Sequence, residues 1–389
     1  VRAIRVVLAL VPLAGCAVGT TAIAPAWNAA PAPDVGVDAL DATLILIGDA
    51  GLPRLDAPEP VLAALHREAG IAPDRTLVVF LGDNVYPDGL PPEAAPARAH
   101  AETVLRLQAE AVASAGARGV FIPGNHDHKD SGRTGVARQA AFIAGLGLAG
   151  IQALPADACA GPAVLDLGAR LRVVLLDTSP WLDQPDALDL ADCPFPTPPR
   201  IAAEISRLLR ETSRTCVVLA HHPLASHGSH GGFSPWQDHL FPLRDAHSSL
   251  WIPIPILGTF YTWYRSAGAY GQDLPSGRYE KLIAQLYAAF EPRPPLVYAG
   301  GHDHCLQVLA GKRGVPYLIV SGAGSIERND PVGRGDDTLF ASPHSGFMRL
   351  DLLTDGRVRL EVVEVRDDGS TQNPATFLDV PAEHGAAQP

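Results

Sequence analysis

The sequence predicts an α/β fold, a four-layer α/β/β/α sandwich of two mixed sheets. Three observations predict it. In the first third of the chain, apolar strand-like runs alternate with helical stretches, the pattern of parallel βαβ units. The end of the chain is rich in strands, which a single parallel sheet would not need. Polar motifs follow the apolar runs again and again, and ligands gather beyond the carboxyl ends of strands in such sheets.

The elements follow in order. The folded domain spans about 42–366. Strand 43–47 ends in Gly48-Asp49-Ala50-Gly51, and a helical pattern covers 59–70. Strand 76–81 ends in Gly82-Asp83-Asn84, and an Ala-rich helical stretch covers about 93–115. Strand 119–122 runs into Pro123-Gly124-Asn125-His126-Asp127. Runs 163–167 and 171–176 form a hairpin around Gly168-Ala169-Arg170. A helix at 198–212 leads to strand 216–220 and His221-His222-Pro223. Helix 277–290 and strand 296–299 lead to Gly300-Gly301-His302-Asp303-His304. Strands 317–320, 347–353 and 358–365 close the domain, and 367–389 reads as a polar, frayed tail.

Composition narrows the function. Of 389 residues, 47% are hydrophobic, enough for a substantial core and against global disorder. A net charge of -12 argues against nucleic acid as a partner, because such a surface repels polyanions. The N-terminus carries Arg2 and Arg5, then an apolar stretch at 6–13 too short to span a bilayer. Leu13-Ala14-Gly15-Cys16 follows, which resembles the bacterial lipoprotein signal, with Cys16 as the lipidated first residue. The alternative is an ordinary export signal with an incidental cysteine. Residues 1–16 are therefore expected to be a signal peptide, 17–41 an Ala/Pro-rich tether, and the protein an exported lipoprotein of the bacterial envelope. Cys159 and Cys193 lie in loop-like sequence and make a candidate disulfide, whereas Cys216 and Cys305 read as buried thiols.

The chemistry lies in the polar motifs. Asp49 or Asp83 alone after a strand is most simply a turn or helix-cap residue. The two together, with Asn125-His126-Asp127 and His302-Asp303-His304 in the same chain, suggest more. Carboxylate, amide and imidazole donors suit first-row divalent or trivalent metals. His302 and His304 are two apart, so extended backbone presents both on one side. Two metals fit a phosphate ester, one activating water and one stabilising developing charge. Asp83 is the candidate shared carboxylate.

The series Gly-Asp-x-Gly, Gly-Asp-Asn-x-Tyr, Gly-Asn-His-Asp, His-x-Pro and Gly-His-Asp-His resembles the calcineurin-like metallophosphoesterases over about 43–325. More narrowly it resembles the purple acid phosphatases of the tartrate-resistant type. Two positions carry that narrower likeness: Gly51, where most of the superfamily has a histidine ligand, and Tyr86, where the purple enzymes place a tyrosine ligand. The resemblance implies a dinuclear site at the strand carboxyl ends. Asp49, Asp83, Tyr86 and His304 would hold Fe(III), and Asp83, Asn125, His221 and His302 a divalent Fe, Zn or Mn. A free phenol has a pKa of about 10, so tyrosinate binding calls for a strongly polarising ion.

The same resemblance gives His126 to the substrate phosphate and His230 to the leaving group, with a metal-held hydroxide attacking phosphorus. Ser229 stands where the family has an acidic neighbour, which leaves the proton donor open and brings in His227 as a second candidate. His222 is left to packing or support. The leading expectation is a phosphomonoesterase. The alternatives are a phosphodiesterase or nucleotide hydrolase on the same scaffold, or a non-catalytic envelope lipoprotein that binds metal or phosphate. Finally, an apolar insert at about 231–276 holds an aromatic-rich stretch at 250–264. It reads either as a loop packed over the domain or as a lid that meets the bilayer or a lipid-like substrate.

Overall fold

The structure, a computed structural model, describes residues 21–28, 32, 34–129, 131–183, 190–244 and 251–381. The expected signal peptide with Cys16 lies outside the described residues, as do the first part of the tether, 245–250 of the insert and 382–389 of the tail.

Two eight-stranded mixed sheets face one another. In spatial order the first holds Thr371–Gln372, Val358–Val365, Gly346–Leu353, Leu40–Ile47, Thr76–Phe80, Arg118–Phe121 and Ile151–Ala153, with Ala375–Leu378 also paired to Val358–Val365. The second holds Ala22–Ile23, Thr338–Ser342, Leu306–Ala310, Tyr317–Ser321, Val297–Gly300, Thr215–Leu219, Leu171–Leu175 and Ala163–Leu167.

Strand alternation builds the layers. Leu44 and Leu46 point into the core between the sheets, where they meet Val173, Leu219, Ala299 and Ile319. Their neighbours Ile45 and Ile47 point the other way, onto Val61, Leu65, Leu105 and Val112 of helices Pro60–Ala69 and Arg98–Ala113. On the second sheet, Val174, Val218 and Tyr298 face helices Pro198–Arg210 and Gly277–Phe290 through Ile205, Leu209, Leu286 and Phe290. The result is the expected α/β/β/α sandwich.

Register then positions the site. Strands Leu40–Ile47, Thr76–Phe80 and Arg118–Phe121 are parallel, with Ile47 opposite Phe80 and Phe80 opposite Phe121. Their following loops emerge side by side. Thr215–Leu219 and Val297–Gly300 do the same in the second sheet, with Leu219 opposite Ala299. The first set is also tied by backbone to the end of strand Tyr317–Ser321 in the second sheet: the Gly48 N–H donates to Ser321 C=O at 2.7 Å, and the Gly324 N–H donates to Gly48 C=O at 3.0 Å.

Three expectations change. The stretch 367–389 is not simply a frayed tail, because Thr371–Gln372 and Ala375–Leu378 satisfy the open edges of Val358–Val365. The stretch 17–41 is not merely a tether: Ala22–Ile23 pairs with Thr338–Ser342, and Trp27 is buried against Phe340 with ring centroids 5.8 Å apart. Strands Leu306–Ala310 and Thr338–Ser342, and helix Pro255–Ser266, were not read from the sequence. Cys159 and Cys193 are joined as a disulfide, and Cys216 and Cys305 are buried free thiols.

The packing of Trp27 is testable. Trp27→Ala should cost about 3 kcal/mol, the usual scale for truncating a buried aromatic. The check is the urea midpoint. An unchanged midpoint would mean that the segment does not pack.

Candidate metal centre

Three ligand candidates sit where backbone strain puts them. Asp49, Asp83 and His302 have φ of 59°, 53° and 71°, in the left-handed region that costs L-residues energy. Each turns the chain sharply after a strand, so that its side chain faces the same point. Close backbone approach completes the turn. A Cβ on Gly124 would stand 2.3 Å from Asp83 Oδ1, so only glycine lets the third loop close over that carboxylate.

Two groups of donor atoms result. In the first, Tyr86 Oη lies 2.7 Å from Asp49 Oδ1, 3.1 Å from Asp83 Oδ2 and 3.3 Å from His304 Nε2. In the second, His221 Nε2 lies 2.9 Å from Asn125 Oδ1 and 3.5 Å from Asp83 Oδ1, and His302 Nδ1 lies 3.1 Å from Asn125 Oδ1 and 3.2 Å from His221 Nε2. Asp83 belongs to both, one oxygen in each. The seven side chains named from the sequence as metal ligands are therefore all brought together.

The partners of the imidazoles decide what these atoms are. A carbonyl or carboxylate oxygen can only accept. His221 Nδ1 stands 2.9 Å from Leu81 C=O, His302 Nε2 stands 2.9 Å from Gln272 C=O, and His304 Nδ1 stands 2.7 Å from Asp330 Oδ2. Each of these nitrogens is thus the protonated one, and the other presents a lone pair to the centre. In the second group, Asn125 Oδ1, His221 Nε2 and His302 Nδ1 are then three acceptors within 3.2 Å, with no donor among them. Lone pairs at that spacing repel unless a cation lies between them. Spacings of about 3 Å also match neighbouring ligands around an ion bonded at about 2.1 Å. The residues present fit two metal ions.

The first group differs in holding a proton. Burial pushes the Tyr86 phenol well above its usual pKa, and Asp49 and Asp83 push it further. It donates to Asp49, whose own pKa burial raises to about 7. Only a cation reverses this, by favouring phenolate and carboxylate together. Gly51 explains why tyrosine supplies this donor. A Cβ there would lie 2.5 Å from Asp83 C=O and 2.6 Å from Val85 N, so the turn carrying Tyr86 fills the space that a longer residue would need.

The other expected residues fall differently. His126 stacks edge-on against Tyr86 at 4.6 Å, and its Nδ1 donates to Pro87 C=O at 2.5 Å. His230 stacks on the ring of His302, with centroids 3.9 Å apart. His227 is held by Asp337 at 2.6 Å and is not brought to the metal donors. His222 spends both nitrogens on Thr178 Oγ1 and Gln272 Oε1, each at 2.8 Å, which leaves no lone pair for an ion although it lies beside His221 and His302.

Several supporting residues were missed in the sequence. Asp127 accepts from Gly124 N at 2.8 Å and from Asn84 N at 3.1 Å, fixing the third loop to the second. Asp303 accepts from His230 N at 2.8 Å. Asp273 accepts from His230 Nδ1 at 2.8 Å and takes a two-pronged bond from Arg265 at 2.6 and 2.9 Å. Burial would raise Asp273, but the bonds from His230 and Arg265 outweigh it and hold the carboxyl below its usual pKa. Arg328 lies 4.0 Å from the centroid of the Tyr86 ring. For Asp127 the signal was the residue following His126; for Asp273 no spacing could have shown it, since 43 residues separate it from His230.

Comparison with known proteins agrees with this geometry. A family model for the calcineurin-like phosphoesterases matches residues 42–306, and the chain belongs to that family. It is thus a phosphoesterase of a metal-dependent class. Among curated proteins no match is found. Two of the solved structures that are similar to this chain in fold illustrate the likeness. One is described as GAP50, the anchor in the inner membrane complex of Plasmodium, with a TM-score of 0.50, 16% identity, and 88% of this chain and 90% of that one covered. The other is the purple acid phosphatase PPD1 from yellow lupin (Lupinus luteus) seeds, with a TM-score of 0.53, 14% identity, and 86% of this chain covered against 53% of that one.

Metal binding should depend on pH with a definite sign. Asp49 and Asp127 are each raised to about 7 in the metal-free fold. Raised carboxyls stabilise the fold when protonated, and that stability is lost as pH climbs from about 4 toward 7. In the chelated protein that loss is opposed by His126, His222 and His302, whose pKa burial lowers, so that their neutral rings favour the fold as pH rises. Added metal must displace the proton held at Asp49, so it should raise Tm more at about pH 8 than at about pH 5. Calorimetry with and without chelator checks this. Equal metal-induced shifts at both pH values would contradict it.

Proposed function

We propose that this protein is a phosphomonoesterase of the acid-phosphatase type, with Fe(III) and a divalent Fe, Zn or Mn ion. The observation that carries the proposal is the Tyr86 oxygen between Asp49, Asp83 and His304 in a site where Gly51 excludes histidine. Asp49, Asp83, Tyr86 and His304 would hold the iron, and Asp83, Asn125, His221 and His302 the divalent ion. When bound, such ions lower the pKa of water to near neutral and neutralise charge on phosphoryl oxygens.

The side chains then do the following. Asp83 would help hold both ions, because its Oδ2 faces Tyr86 and its Oδ1 faces His221. With His126 Nδ1 committed to Pro87, contact with phosphate falls to Nε2, which donates only as imidazolium, and a dianion beside it favours that form. Asp273 holds the Nδ1–H of His230, which leaves Nε2 to carry a proton to the leaving oxygen. Asp273 thus supplies from the insert the carboxylate that Ser229 does not.

The cell context is part of the proposal. Leu13-Ala14-Gly15-Cys16 supports export and acyl anchoring in a bacterial envelope. The Cys159–Cys193 disulfide suits an oxidising compartment.

Two experiments test the reading. The purified protein should show a visible tyrosinate–iron(III) band that vanishes in Tyr86→Phe, and should cleave para-nitrophenyl phosphate faster than its bis-ester. A colourless, iron-free, fully active enzyme would contradict the iron assignment, and faster cleavage of the bis-ester would contradict the monoesterase. Asp273→Asn should lower kcat on an alkyl phosphate by about tenfold or more while changing para-nitrophenyl phosphate little, because a nitrophenolate leaves without a proton. Equal losses on both substrates would assign Asp273 a purely structural role.

A further inference from the structure

Helix Pro255–Ser266 is built inside out. Its buried residues are Gly258 and Thr262, one turn apart. Gly258 lies so close to the backbone of Asp238 and His239 that a Cβ would collide at 2.3 Å, and Thr262 Oγ1 meets His239 Nδ1 at 3.1 Å. The opposite face carries Ile256, Phe260 and Trp263, at 87%, 57% and 62% exposure, with Leu257 and Tyr264 beside them. Ordinary surface helices do the reverse and turn their large apolar side chains inward. No charged residue occurs in 251–264. Pro255, Ile256, Thr259, Phe260 and Trp263 line one open apolar concavity.

Two features say what covers this face. The first is its attachment to the metal centre. Arg265, in the last turn of the helix, grips Asp273, which grips His230, and Gln272 C=O accepts from His302. The last turn of the helix is thus linked to His230 and, through the neighbouring Gln272, to His302. The second is where the chain enters. Leu306, just after the His304 motif, is opposite Ser342, and Ala22 is opposite Ala341 on the antiparallel strand next to it. Thr21 Oγ1 reaches Ser342 Oγ at 3.2 Å. Thr21 therefore lies at the end of the second sheet that bears the metal donors. Cys16 and Thr21 are five positions apart in the sequence, a reach of at most about 18 Å.

We propose that the helix docks on a phospholipid bilayer, with the metal-centre end of the sandwich facing the membrane, and that the substrates are phosphate monoesters presented at that surface. This rests on the phosphoesterase reading above and on an acyl group at Cys16. An anchor that short cannot hold the opposite end of the domain against the membrane. Tryptophan, tyrosine and phenylalanine on an uncharged helix face suit the interfacial layer of a zwitterionic bilayer, and the net charge of -12 disfavours an anionic one. The reaction is ordinary hydrolysis: water adds to phosphorus, the ester P–O bond breaks, and the leaving oxygen takes a proton.

The test uses the full metal-loaded chain and its Ile256→Ser/Phe260→Ser variant, which keeps Trp263 as the reporter, both also carrying Cys16→Ser. Each is mixed with phosphatidylcholine vesicles that contain a little phosphatidic acid, with acyl chains either plain or brominated. Bromine should quench tryptophan emission in the parent, and the variant should lose most of that quenching. The variant should also cleave vesicle-borne phosphatidic acid at least about tenfold more slowly, yet cleave soluble para-nitrophenyl phosphate within about twofold of the parent, which shows that it is folded. Equal quenching in parent and variant, or none in the parent, would overturn the docking. So would a parent that ignores vesicles but forms a dimer on gel filtration that the variant cannot form. A parent that docks and cleaves neither ester would leave the docking standing and defeat the phosphatase reading.

Discussion

Unshared lone pairs cannot be packed against one another inside a protein unless something positive lies between them. The imidazoles of His221 and His302 and the amide of Asn125 are oriented so that three acceptors meet within 3.2 Å. Leu81 and Gln272 enforce this by taking the N–H of His221 and His302 on the outer side, and Asp330 does the same for His304 in the neighbouring group. The cation requirement is thus written into the hydrogen bonds around the site. Asp83 extends it to the Tyr86 group, since its two oxygens face different sets of donors.

The rest of the fold serves that convergence. Parallel register in both sheets lines up the loops that follow strands Leu40–Ile47, Thr76–Phe80, Arg118–Phe121, Thr215–Leu219 and Val297–Gly300. The core between the sheets and the helical layers outside them keep those strand ends in place. The left-handed backbone at Asp49, Asp83 and His302 is strain that such packing can bear. Arg265 and Asp273 add a link outward, from His230 to the exposed helix.

Most of the inner site was legible because its residues occur in short motifs directly after strands. Asp49, Asp83, Asn125, His221, His302 and His304 are each fixed by local sequence and by register. The outer residues were not. Asp273 reaches His230 across an insert, and Gln272 uses both its backbone and its side chain on different histidines. Such contacts depend on how a loop folds back, which no periodicity encodes. The termini were misread for a related reason. The segments 17–41 and 367–389 are polar or small in composition, yet Trp27 and the strand Ala375–Leu378 find places on an existing core and an existing edge. Marginal segments take structure from their neighbours, and composition alone does not reveal a vacant neighbour.

The central claim is that one carboxylate, Asp83, joins two cation sites. Metal content per chain tests it most directly. Elemental analysis of the purified protein should find two ions per chain, about one after Asn125→Ala, and close to none after Asp83→Ala, provided circular dichroism shows each variant folded. A wild type with a single ion, or an Asp83→Ala variant that keeps two, would contradict the account.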